Sequence, residues 1–546
     1  SGAGFVMDDG GSVSFKGSVN SNIINHSTNT QFGNLTAAKN VGGYLNIHID
    51  STQPFTVNNY LTNSLGNRFY SNSSMTVTMK GIAVQDFNPG DTSGVYGFKW
   101  NAGVLKMDGA YQYLDLAGPG NYLNNLICSA TEGVLTEYAL TLKNNLTIES
   151  GYLSVDGTNT ITLSGMWDNQ VGPDGFIEGA GRVIFNNSVT HQTIFSSETF
   201  NILEVDMAAA LRFTSGKTVT CAVYDWTAGG IDMNTGATFT ALDLAETAIV
   251  GNWWLTNSAG TINISNNDAG DVHLHGTMNI TAGTFNVYDT STYANDSAWG
   301  SYGSGSLTMS GGILDFKTVG ILVSVLSPHT LTLNITSGTI RTVGNFECFY
   351  NGFAPSGGIL EMYGSSAAFL NMSSGSPYNL KINKTATAYL YTSASCTGSL
   401  TITSGAFDTE GSTFSCNNLY VYGSLFLDSQ MTVLGNCYWY NGCTTDIGAG
   451  ATLQTPGSWY AYAGSNPLFP ANSNLYFYGT ASRTINNLSS TATFGTLKIG
   501  ENSSGTLFTG GVYSLSTTST ADLDVPGSLT IRAGNTLDLN QRGMSV

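Results

Sequence analysis

Apolar pairs with one residue between them return at nearly constant spacing along the middle of the chain. Each apolar-x-apolar pair places two large side chains on one face of a short strand. Successive pairs begin at Leu360, Leu380, Leu400 and Leu419. A period of about 20 residues is typical of stacked supersecondary units. It predicts an all-β fold, a right-handed parallel β-helix (β-solenoid) with coils of about 20 residues and loop insertions, roughly 20 to 25 coils and ~100 to 120 Å long.

A short repeat of the form apolar-x-apolar-x-x-Gly-x-apolar occurs six times. Glycine takes backbone conformations that other residues resist, so each copy predicts a strand, a corner and a second strand. The residue inside the apolar pair, such as Thr401 or Asn334, is expected to face solvent. The six glycines are Gly151, Gly229, Gly283, Gly312, Gly338 and Gly405.

A long repeat runs from one apolar-x-apolar strand, through an isolated Ile or Leu and an aromatic residue, to a second strand. In all five copies the two strands begin one coil period apart, which predicts that each long repeat is one coil and that its ends are neighbouring strands. The strand pairs begin at Val13 and Leu35, Leu105 and Leu126, Val183 and Leu203, Leu360 and Leu380, and Leu475 and Leu497.

Between Met278 and Leu360 the steps, through Leu307 and Leu333, are clearly longer than the usual period. The segments 293–305 and 327–329 are expected to be the loops that absorb the excess, and such loops are where binding surfaces are usually built. The sequence contains no evident linker, because the repeats continue throughout. We therefore expect residues 1–546 to form a single continuous β-solenoid, with the longer, loop-bearing coils around 278–360.

Charge and composition narrow the range of partners. Eighteen basic residues against 36 acidic ones give a net charge of −18, which disfavours nucleic acid and anionic membrane surfaces. The most apolar run, 319–326, is too short to cross a bilayer. We expect no nucleic-acid binding and no membrane insertion.

Three of the seven cysteines, Cys396, Cys416 and Cys437, follow the coil period, and none of the seven forms a Cys-x-x-Cys motif. Neighbouring coils lie about 4.8 Å apart, so these residues form either a ladder of buried thiols or disulfides between coils. Cys437 and Cys443 could instead close a loop.

Three phrases carry a resemblance to a known group of proteins: Thr199-Phe200-Asn201-Ile202-Leu203, Asn379-Leu380-Lys381-Ile382-Asn383, and Ser399-Leu400-Thr401-Ile402-Thr403-Ser404-Gly405. They resemble the degenerate repeats of very large secreted surface proteins of Bacteroidetes-like bacteria, many of which carry a type IX secretion sorting domain. The resemblance implies a secreted or cell-surface β-helix of adhesive or structural type. It implies no catalytic residues.

Metal binding has two candidate sites. Asp271, His273 and His275 alternate along one strand and so share a face, which is a possible transition-metal site, although a solvated polar face explains the same pattern. Asp268 and Asp271 lie on a Gly-containing turn that could bind calcium. We expect no other cofactor. Four aspartates that follow short repeats are expected to face outward: Asp232, Asp315, Asp408 and Asp538.

A polysaccharide-cleaving β-helix is the main enzymatic alternative. Pectin-type hydrolases resemble one another in carrying Asn-x-Asp, Asp-Asp, Gly-His-Gly and Arg-x-Lys in that order. The chain offers Asn266-Asn267-Asp268 and an isolated Asp8-Asp9, has Leu274 where the first Gly of Gly-His-Gly should stand, and lacks Arg-x-Lys. These departures favour a non-catalytic protein.

Exposed aromatic side chains are expected, because 27 Tyr, 26 Phe and 8 Trp exceed what a narrow solenoid interior readily holds. Trp253-Trp254 and Tyr438-Trp439-Tyr440 place neighbouring rings on opposite faces of a strand. The outward rings could stack on sugars or pack solenoids side by side, whereas stacking inside adjacent coils is the plainer interpretation.

The sequence thus predicts an extracellular structural or adhesive solenoid of a cell surface or filament, secreted and not an enzyme. A polysaccharide-acting β-helix enzyme (a lyase or a glycoside hydrolase) and a phage tail fibre or tailspike are the alternatives. Surface glycans or other cells are possible partners. Repeats reach from Val13 to Leu539 without an evident cap, so head-to-tail self-association is also expected.

Overall fold

The computed structural model describes most of the 546 residues. The described residues are 11–39, 43–64, 68–86, 97–118, 120–245, 248–266, 272–289, 297–299, 304–325, 327–489, 492–516, 519, 522–540 and 544–545. More than half of them lie in strands, and they include one 3₁₀ turn at Pro173–Gly175. No helix in these ranges is long and apolar enough to cross a membrane.

The chain divides into two compact units. Unit 1 comprises Ser1–Glu246 and Gly251–Ser265, and unit 2 comprises Thr247–Val250 and Asn266–Val546. That the two units form one continuous solenoid stays a prediction.

Strands β1 to β27 belong to unit 1, except that β25 belongs to unit 2 and β27 ends one residue beyond unit 1. Their bounds are β1 Ser12–Gly17, β2 Ser21–Ile23, β3 Gln31–Lys39, β4 Tyr44–Ile47, β5 Phe55–Asn63, β6 Arg68–Ser71, β7 Thr76–Met79, β8 Ala83–Asp86, β9 Gly97–Trp100, β10 Val104–Met107, β11 Tyr111–Leu116, β12 Asn125–Cys128, β13 Gly133–Thr136, β14 Leu140–Leu142, β15 Leu146–Ile148, β16 Leu153–Val155, β17 Thr160–Leu163, β18 Trp167–Asn169, β19 Phe176–Ile177, β20 Arg182–Phe185, β21 Gln192–Ile194, β22 Glu198–Phe213, β23 Thr218–Met233, β24 Thr238–Ala241, β25 Ala248–Ile249, β26 Asn252–Leu255 and β27 Thr261–Asn266.

The remaining strands belong to unit 2. Their bounds are β28 His273–Leu274, β29 Thr277–Ile280, β30 Thr284–Asp289, β31 Ser297–Trp299, β32 Gly305–Phe316, β33 Ile321–Val323, β34 Leu331–Thr342, β35 Phe346–Cys348, β36 Ile359–Gly364, β37 Ala368–Asn371, β38 Asn379–Leu390, β39 Ala394–Ser395, β40 Ser399–Asp408, β41 Phe414–Cys416, β42 Asn418–Val421, β43 Ser424–Leu427, β44 Gln430–Val433, β45 Cys437–Trp439, β46 Thr444–Ile447, β47 Thr452–Thr455, β48 Trp459–Ala461, β49 Asn474–Phe477, β50 Arg483–Asn487, β51 Thr496–Ile499, β52 Val512–Leu515, β53 Leu523–Asp524, β54 Leu529–Ile531, β55 Thr536–Asp538 and β56 Met544–Ser545.

Both units are built of parallel β-solenoid coils, which confirms the predicted fold class; the handedness stays a prediction. All five long repeats bring their two strands into the expected register. The pairs are Val13 with Leu35, Leu105 with Leu126, Val183 with Leu203, Leu360 with Leu380, and Leu475 with Leu497.

The glycine of each short repeat forms a corner, as predicted. All six have positive φ, between 63° at Gly151 and 90° at Gly338, the region that favours glycine. At Gly405 a Cβ atom would also lie 2.2 Å from the carbonyl oxygen of Lys384 on the preceding coil. Close approach of neighbouring coils therefore adds to the requirement for glycine there.

Coils in the middle of unit 2 each contribute a strand to three parallel columns. Column 1 runs through the first half of β38 and of β40, then β42, β45 and β48. Column 2 runs through β35, β37, the second halves of β38 and β40, β43 and β46. Column 3 runs through β39, β41, β44 and β47.

Alternate side chains of these strands point into the coil and form the core. Leu419, Val421 and Trp439 of column 1 are fully buried, whereas the residues between them are not. Trp439 and Trp459 lie on successive coils with ring centroids 5.0 Å apart. Aromatic stacking inside adjacent coils thus accounts for part of the large aromatic content.

One predicted step is wrong, and one predicted loop is wrong in part. Leu360 pairs with Ile340, at the usual coil spacing, and not with Leu333. Leu333 pairs with Leu307 in a different column. On the next coil that column continues with a segment that is not a strand, and there the Ser356 amide donates to the Ile335 carbonyl. Within the predicted loop 293–305, Ser297–Trp299 is a strand that pairs with β33, and Tyr293 lies outside the described residues.

The predicted ladder of three cysteines is only partly correct. Cys396 and Cys416 are neighbours in column 3, but Val433, not Cys437, follows Cys416 there. The coil from Phe414 to its partner Met431 is shorter than the coil before it, so Cys437 falls in column 1. All seven cysteines are buried free thiols, and burial raises the pKa of Cys437.

Candidate functional site: an aromatic pocket and two tyrosine ladders

A surface pocket opens on the outer side of column 2. Glu347 of β35, Phe369 and Asn371 of β37, and Tyr391 just after β38 line it, and its volume is about 250 Å³. Three successive coils contribute these residues, because β35 pairs with β37 and β37 pairs with β38. We call this site the aromatic pocket.

Two aromatic rings form walls of the aromatic pocket. The ring centroids of Phe369 and Tyr391 are 6.2 Å apart and their planes are 79° apart. Phe369 also packs against Tyr389 on the next coil, at 5.9 Å and 37°. Phe369 is 48% exposed and Tyr391 is 67% exposed, so ring faces are open to a ligand from solvent.

The polar side of the pocket is held in place by hydrogen bonds. The Asn371 Oδ1 atom accepts from the hydroxyls of Ser373 at 2.8 Å and Thr392 at 3.0 Å. This arrangement directs its Nδ2 towards Glu347 Oε2, 3.5 Å away. Among the described residues Glu347 forms no ion pair. Its carboxylate therefore lies at the pocket with an oriented amide beside it and no competing cation.

Column 2 continues from the pocket as a row of alternating aromatic and acidic residues. Phe369 pairs with Tyr389, Tyr389 with Asp408, Asp408 with Phe426, and Phe426 with Asp446. We call this row the acidic–aromatic strip. Burial, and then the charges of Asp408 and Asp446, raise the pKa of the nearby Asp428 carboxyl. The sequence has no Lys or Arg between Thr385 and Ser482, so cations do not offset this negative potential locally.

Column 1 carries two rows of stacked tyrosines on its outer side, as the alternation around Trp439 predicts. One tyrosine ladder consists of Tyr420, Tyr438 and Tyr460, with centroids 4.9 Å apart at both steps and planes within 5°. The other consists of Tyr422, Tyr440 and Tyr462, at 4.0 and 5.0 Å. Burial, and then a hydrogen bond with Tyr422, raise the pKa of Tyr440.

The two aromatic surfaces differ in what they present to solvent. In the tyrosine ladders the rings of successive coils are nearly parallel and stack on one another, so most of their faces are covered. In the aromatic pocket Phe369 and Tyr391 meet nearly edge to face, and Tyr391 is mostly exposed. The pocket is therefore the better place for a flat ligand to stack.

Strands β32, β34 and β36 precede column 1 in the same stack, and their outer side is a row of alternating charges that ends on Lys381 of β38. Arg341 lies 3.4 Å from Asp315 and 3.1 Å from Glu361, and Lys381 lies 3.0 Å from Glu361. Lys317 also contacts Asp315, at 2.7 Å, and the Tyr363 hydroxyl donates to it. This row stabilises the stacking of coils and leaves no charge open for a ligand at Asp315.

The four aspartates predicted to face outward lie on the outer side of their coils, but only two of them are open to solvent. Asp315 is fully buried beneath its cationic neighbours, and Asp232 is buried by Arg212, whose Nε donates to it at 2.8 Å. Asp408 is half-buried on the acidic–aromatic strip and Asp538 is exposed. Arg212 and Arg341, each on the coil next to the aspartate, account for the burial of Asp232 and Asp315.

The proposed metal ligands are only partly described. Asp268 and Asp271 lie outside the described residues. The rings of His273 and His275 stack with centroids 5.7 Å apart and planes 10° apart. Within the described ranges, no group of three or more His, Cys, Asp or Glu side chains could hold a metal ion. Metal binding by these four residues stays untested.

The residues of the aromatic pocket were not identified from the sequence. Tyr389-x-Tyr391 is an aromatic pair flanking the inward-facing Leu390, and this outward alternation is the signal that could have indicated an exposed aromatic surface. Glu347 and Asn371 gave no such signal, because coil register alone brings them together.

Comparison of the chain with protein-family models, with curated proteins and with solved structures finds no match.

Proposed function

We propose that this β-solenoid is a non-catalytic extracellular protein of structural or adhesive type that binds neutral polysaccharide at the aromatic pocket. The observation that carries the proposal is the pocket itself, where Phe369 and Tyr391 offer open ring faces beside Glu347 and Asn371. Ligand sites generally combine apolar walls with a few oriented polar groups.

The chemistry of the pocket suits a sugar ring. The apolar C–H face of a pyranose packs on an aromatic face, as other flat groups with apolar faces do. Its hydroxyls donate to the Glu347 carboxylate and bond to the Asn371 amide, which are 3.5 Å from each other. The acidic–aromatic strip would continue this contact along a polymer, because its residues repeat at the coil spacing of about 4.8 Å.

Charge selects a neutral polymer over an acidic one. The chain has a net charge of −18, and the strip adds Asp408 and Asp446 in a stretch without Lys or Arg. A polyanion such as alginate or polygalacturonate would be repelled, whereas a glucan, mannan or xylan would not.

A binding role is favoured over cleavage by the composition of the pocket. Glycoside hydrolysis uses a pair of carboxylates that flank the scissile bond. Of the four residues that line the pocket, only Glu347 is a carboxylate.

The extracellular location rests on the resemblance of the repeats, including Asn379-Leu380-Lys381-Ile382-Asn383, to those of secreted bacterial surface proteins. A net charge far from zero also suits a soluble surface protein. Secretion is part of the proposal, and expression of the full gene with localisation of its product would test it.

Affinity electrophoresis or calorimetry with a panel of soluble polysaccharides tests the binding proposal. We expect binding to at least one neutral polymer and none to alginate or polygalacturonate. Tyr391→Ala should weaken binding about threefold to tenfold, the effect of losing roughly 0.5–1.5 kcal/mol of stacking. Phe369→Ala should also weaken polysaccharide binding. Glu347→Gln should weaken it while leaving the two rings in place.

Tyr138→Ala is the matched control, because Tyr138 is a partly exposed tyrosine of unit 1, 38% exposed. It should bind like the unchanged protein. Failure to bind any neutral polymer, or undiminished binding by the Phe369→Ala/Tyr391→Ala double variant, would contradict the proposal. Release of shorter oligosaccharides would favour the enzymatic alternative.

A further inference from the structure

The tyrosine ladders bring phenol rings of neighbouring coils together in one orientation. Tyr422 and Tyr440 have centroids 4.0 Å apart and planes 7° apart. Tyr420 and Tyr438 are 4.9 Å apart at 2°, so these rings are also parallel. Tyr440 forms a hydrogen bond with Tyr422, which places the phenolic edges of these two rings side by side. Backbone pairing and the buried Trp439 between Tyr438 and Tyr440 fix these positions.

Such an arrangement suits one particular covalent reaction. Loss of one electron and the phenolic proton converts a tyrosine to a neutral radical with spin density on the ring carbons ortho to the oxygen. Two such carbons on parallel neighbouring rings need only a small movement to meet, and holding reactants together in this way gives very high effective concentrations.

We infer that the two tyrosine ladders are a site of oxidative cross-linking, where a haem peroxidase and hydrogen peroxide join tyrosines of neighbouring coils as dityrosine. Two phenols each lose one electron and one proton, the two radicals form an ortho carbon–carbon bond, and the two ring hydrogens leave as protons as the phenols re-form. Hydrogen peroxide accepts the two electrons and two protons and yields two water molecules. This inference does not depend on the proposed glycan binding.

The tyrosine rings of the ladders are accessible from solvent, which the reaction requires. Tyr422 is 42% exposed, and the ladder residues Tyr438, Tyr440, Tyr460 and Tyr462 are half-buried. A small oxidant, or a radical passed from the peroxidase, therefore reaches the rings without unfolding.

Two other close tyrosine pairs within the described residues have a different orientation. Tyr111 and Tyr113 have centroids 5.2 Å apart, but their planes are 90° apart. Tyr44 and Tyr70 are 5.1 Å apart at 84°. Because their planes are nearly perpendicular, these pairs are internal controls for proximity without parallel alignment.

The experiment treats the full chain with horseradish peroxidase and hydrogen peroxide at low protein concentration, then digests it with a protease that cuts after Asp and Glu. Cleavage after Glu410, Asp428 and Asp446 places the three rungs of each ladder on three different peptides. We expect dityrosine fluorescence, and peptide pairs 411–428 with 429–446 joined with the loss of two hydrogen atoms. A link between Tyr44 and Tyr70, on peptides 10–50 and 51–86, and a link between Tyr111 and Tyr113, within peptide 109–115, should both be rare.

The Tyr438→Phe/Tyr440→Phe double variant removes the middle rung of both ladders and keeps the stacked rings. Its circular dichroism should not change, and its dityrosine yield should fall about fivefold or more, because coupling depends on alignment. Tyr111→Phe/Tyr113→Phe should leave the yield unchanged. An unaltered yield in the ladder variant, coupling mainly at the edge-to-face pairs, or products that are mostly covalent dimers would overturn the inference.

Discussion

At the scale of single residues, buried polar groups show how the coils tolerate charge. Lys384 is fully buried, and its Nζ donates to the carbonyl oxygens of Val343 and Tyr363, both at 2.8 Å, on the two preceding coils. Burial lowers its pKa to about 8. Glu198 in unit 1 is 2% exposed and accepts hydrogen bonds from Trp167 Nε1 and Asn169 Nδ2, both at 2.9 Å. No motif in the sequence indicates these contacts, because each depends on a residue of another coil.

Glu198 makes the stability of unit 1 depend on pH. Burial raises the pKa of its carboxyl from 4.5 to about 7, despite the two hydrogen bonds. The stability that this raised pKa contributes is fully present below pH 4.5 and is lost as pH rises through about 7. The unchanged protein should therefore lose about 3 kcal/mol of unfolding free energy between these two pH values, and the Glu198→Gln variant should not show this loss.

Chemical denaturation of the variant and the unchanged protein at several pH values measures this difference. The exposed Asp174→Asn variant is the control for removal of one carboxylate. A Glu198→Gln effect that is the same at low and high pH would show that the carboxyl does not titrate in this range.

At the scale of strands and corners, the sequence predicted most of the register and misassigned a few positions for identifiable reasons. Leu360, Leu380, Leu400 and Leu419 pair as their spacing indicates. Leu333 was misassigned because each coil presents several apolar-x-apolar strands, and spacing alone does not tell one column from another.

The aromatic pocket could not be predicted for a related reason. Phe369 with Tyr389, and Glu347 with Asn371, meet through the register of paired strands, and that register depends on the length of each coil. The ladders at Tyr438 and Tyr440 were partly predictable, because both flank an inward-facing tryptophan. Outward rings are recognisable from alternation, whereas the shape of a pocket depends on which coils lie side by side.

Corner glycines can be compared by a matched pair of substitutions. Gly405 and Gly411 have φ of 63° and 76°, so alanine is strained at both. At Gly405 the new Cβ would also meet carbonyl oxygens of Lys384 and Ala386 at 2.2 and 2.4 Å, whereas at Gly411 it would meet nothing within 4 Å.

Gly411→Ala should therefore cost about 1–2 kcal/mol of unfolding free energy, from backbone strain alone. Gly405→Ala should cost clearly more, since the coil corner must also shift. The denaturation midpoints of the two variants provide the measurement. Equal losses of unfolding free energy would mean that the coil corner shifts at no energetic cost.

At the scale of the whole molecule, stability is expected to be local, because each coil of a solenoid contacts mainly its neighbours. Trp439 of unit 2 is fully buried and packs on Trp459 and Phe469. Trp439→Ala should cost about 3–5 kcal/mol there by leaving a cavity. Hydrogen exchange should accelerate most in β42, β45 and β48 and progressively less in more distant coils, with β32 and β34 little changed.

The conservative Tyr438→Phe variant on the same strand should leave exchange unaltered. Uniform acceleration throughout unit 2 after Trp439→Ala would instead indicate that the unit unfolds as one cooperative body.

The stretch without cations around the acidic–aromatic strip has a further consequence, for digestion. A trypsin-type protease cuts after Lys and Arg, and between Lys384 and Arg483 the chain contains neither. Both tyrosine ladders and most of the strip would therefore remain on one long fragment even after complete tryptic cleavage of the unfolded chain. Over this stretch the chain therefore offers no cleavage site to proteases of that specificity.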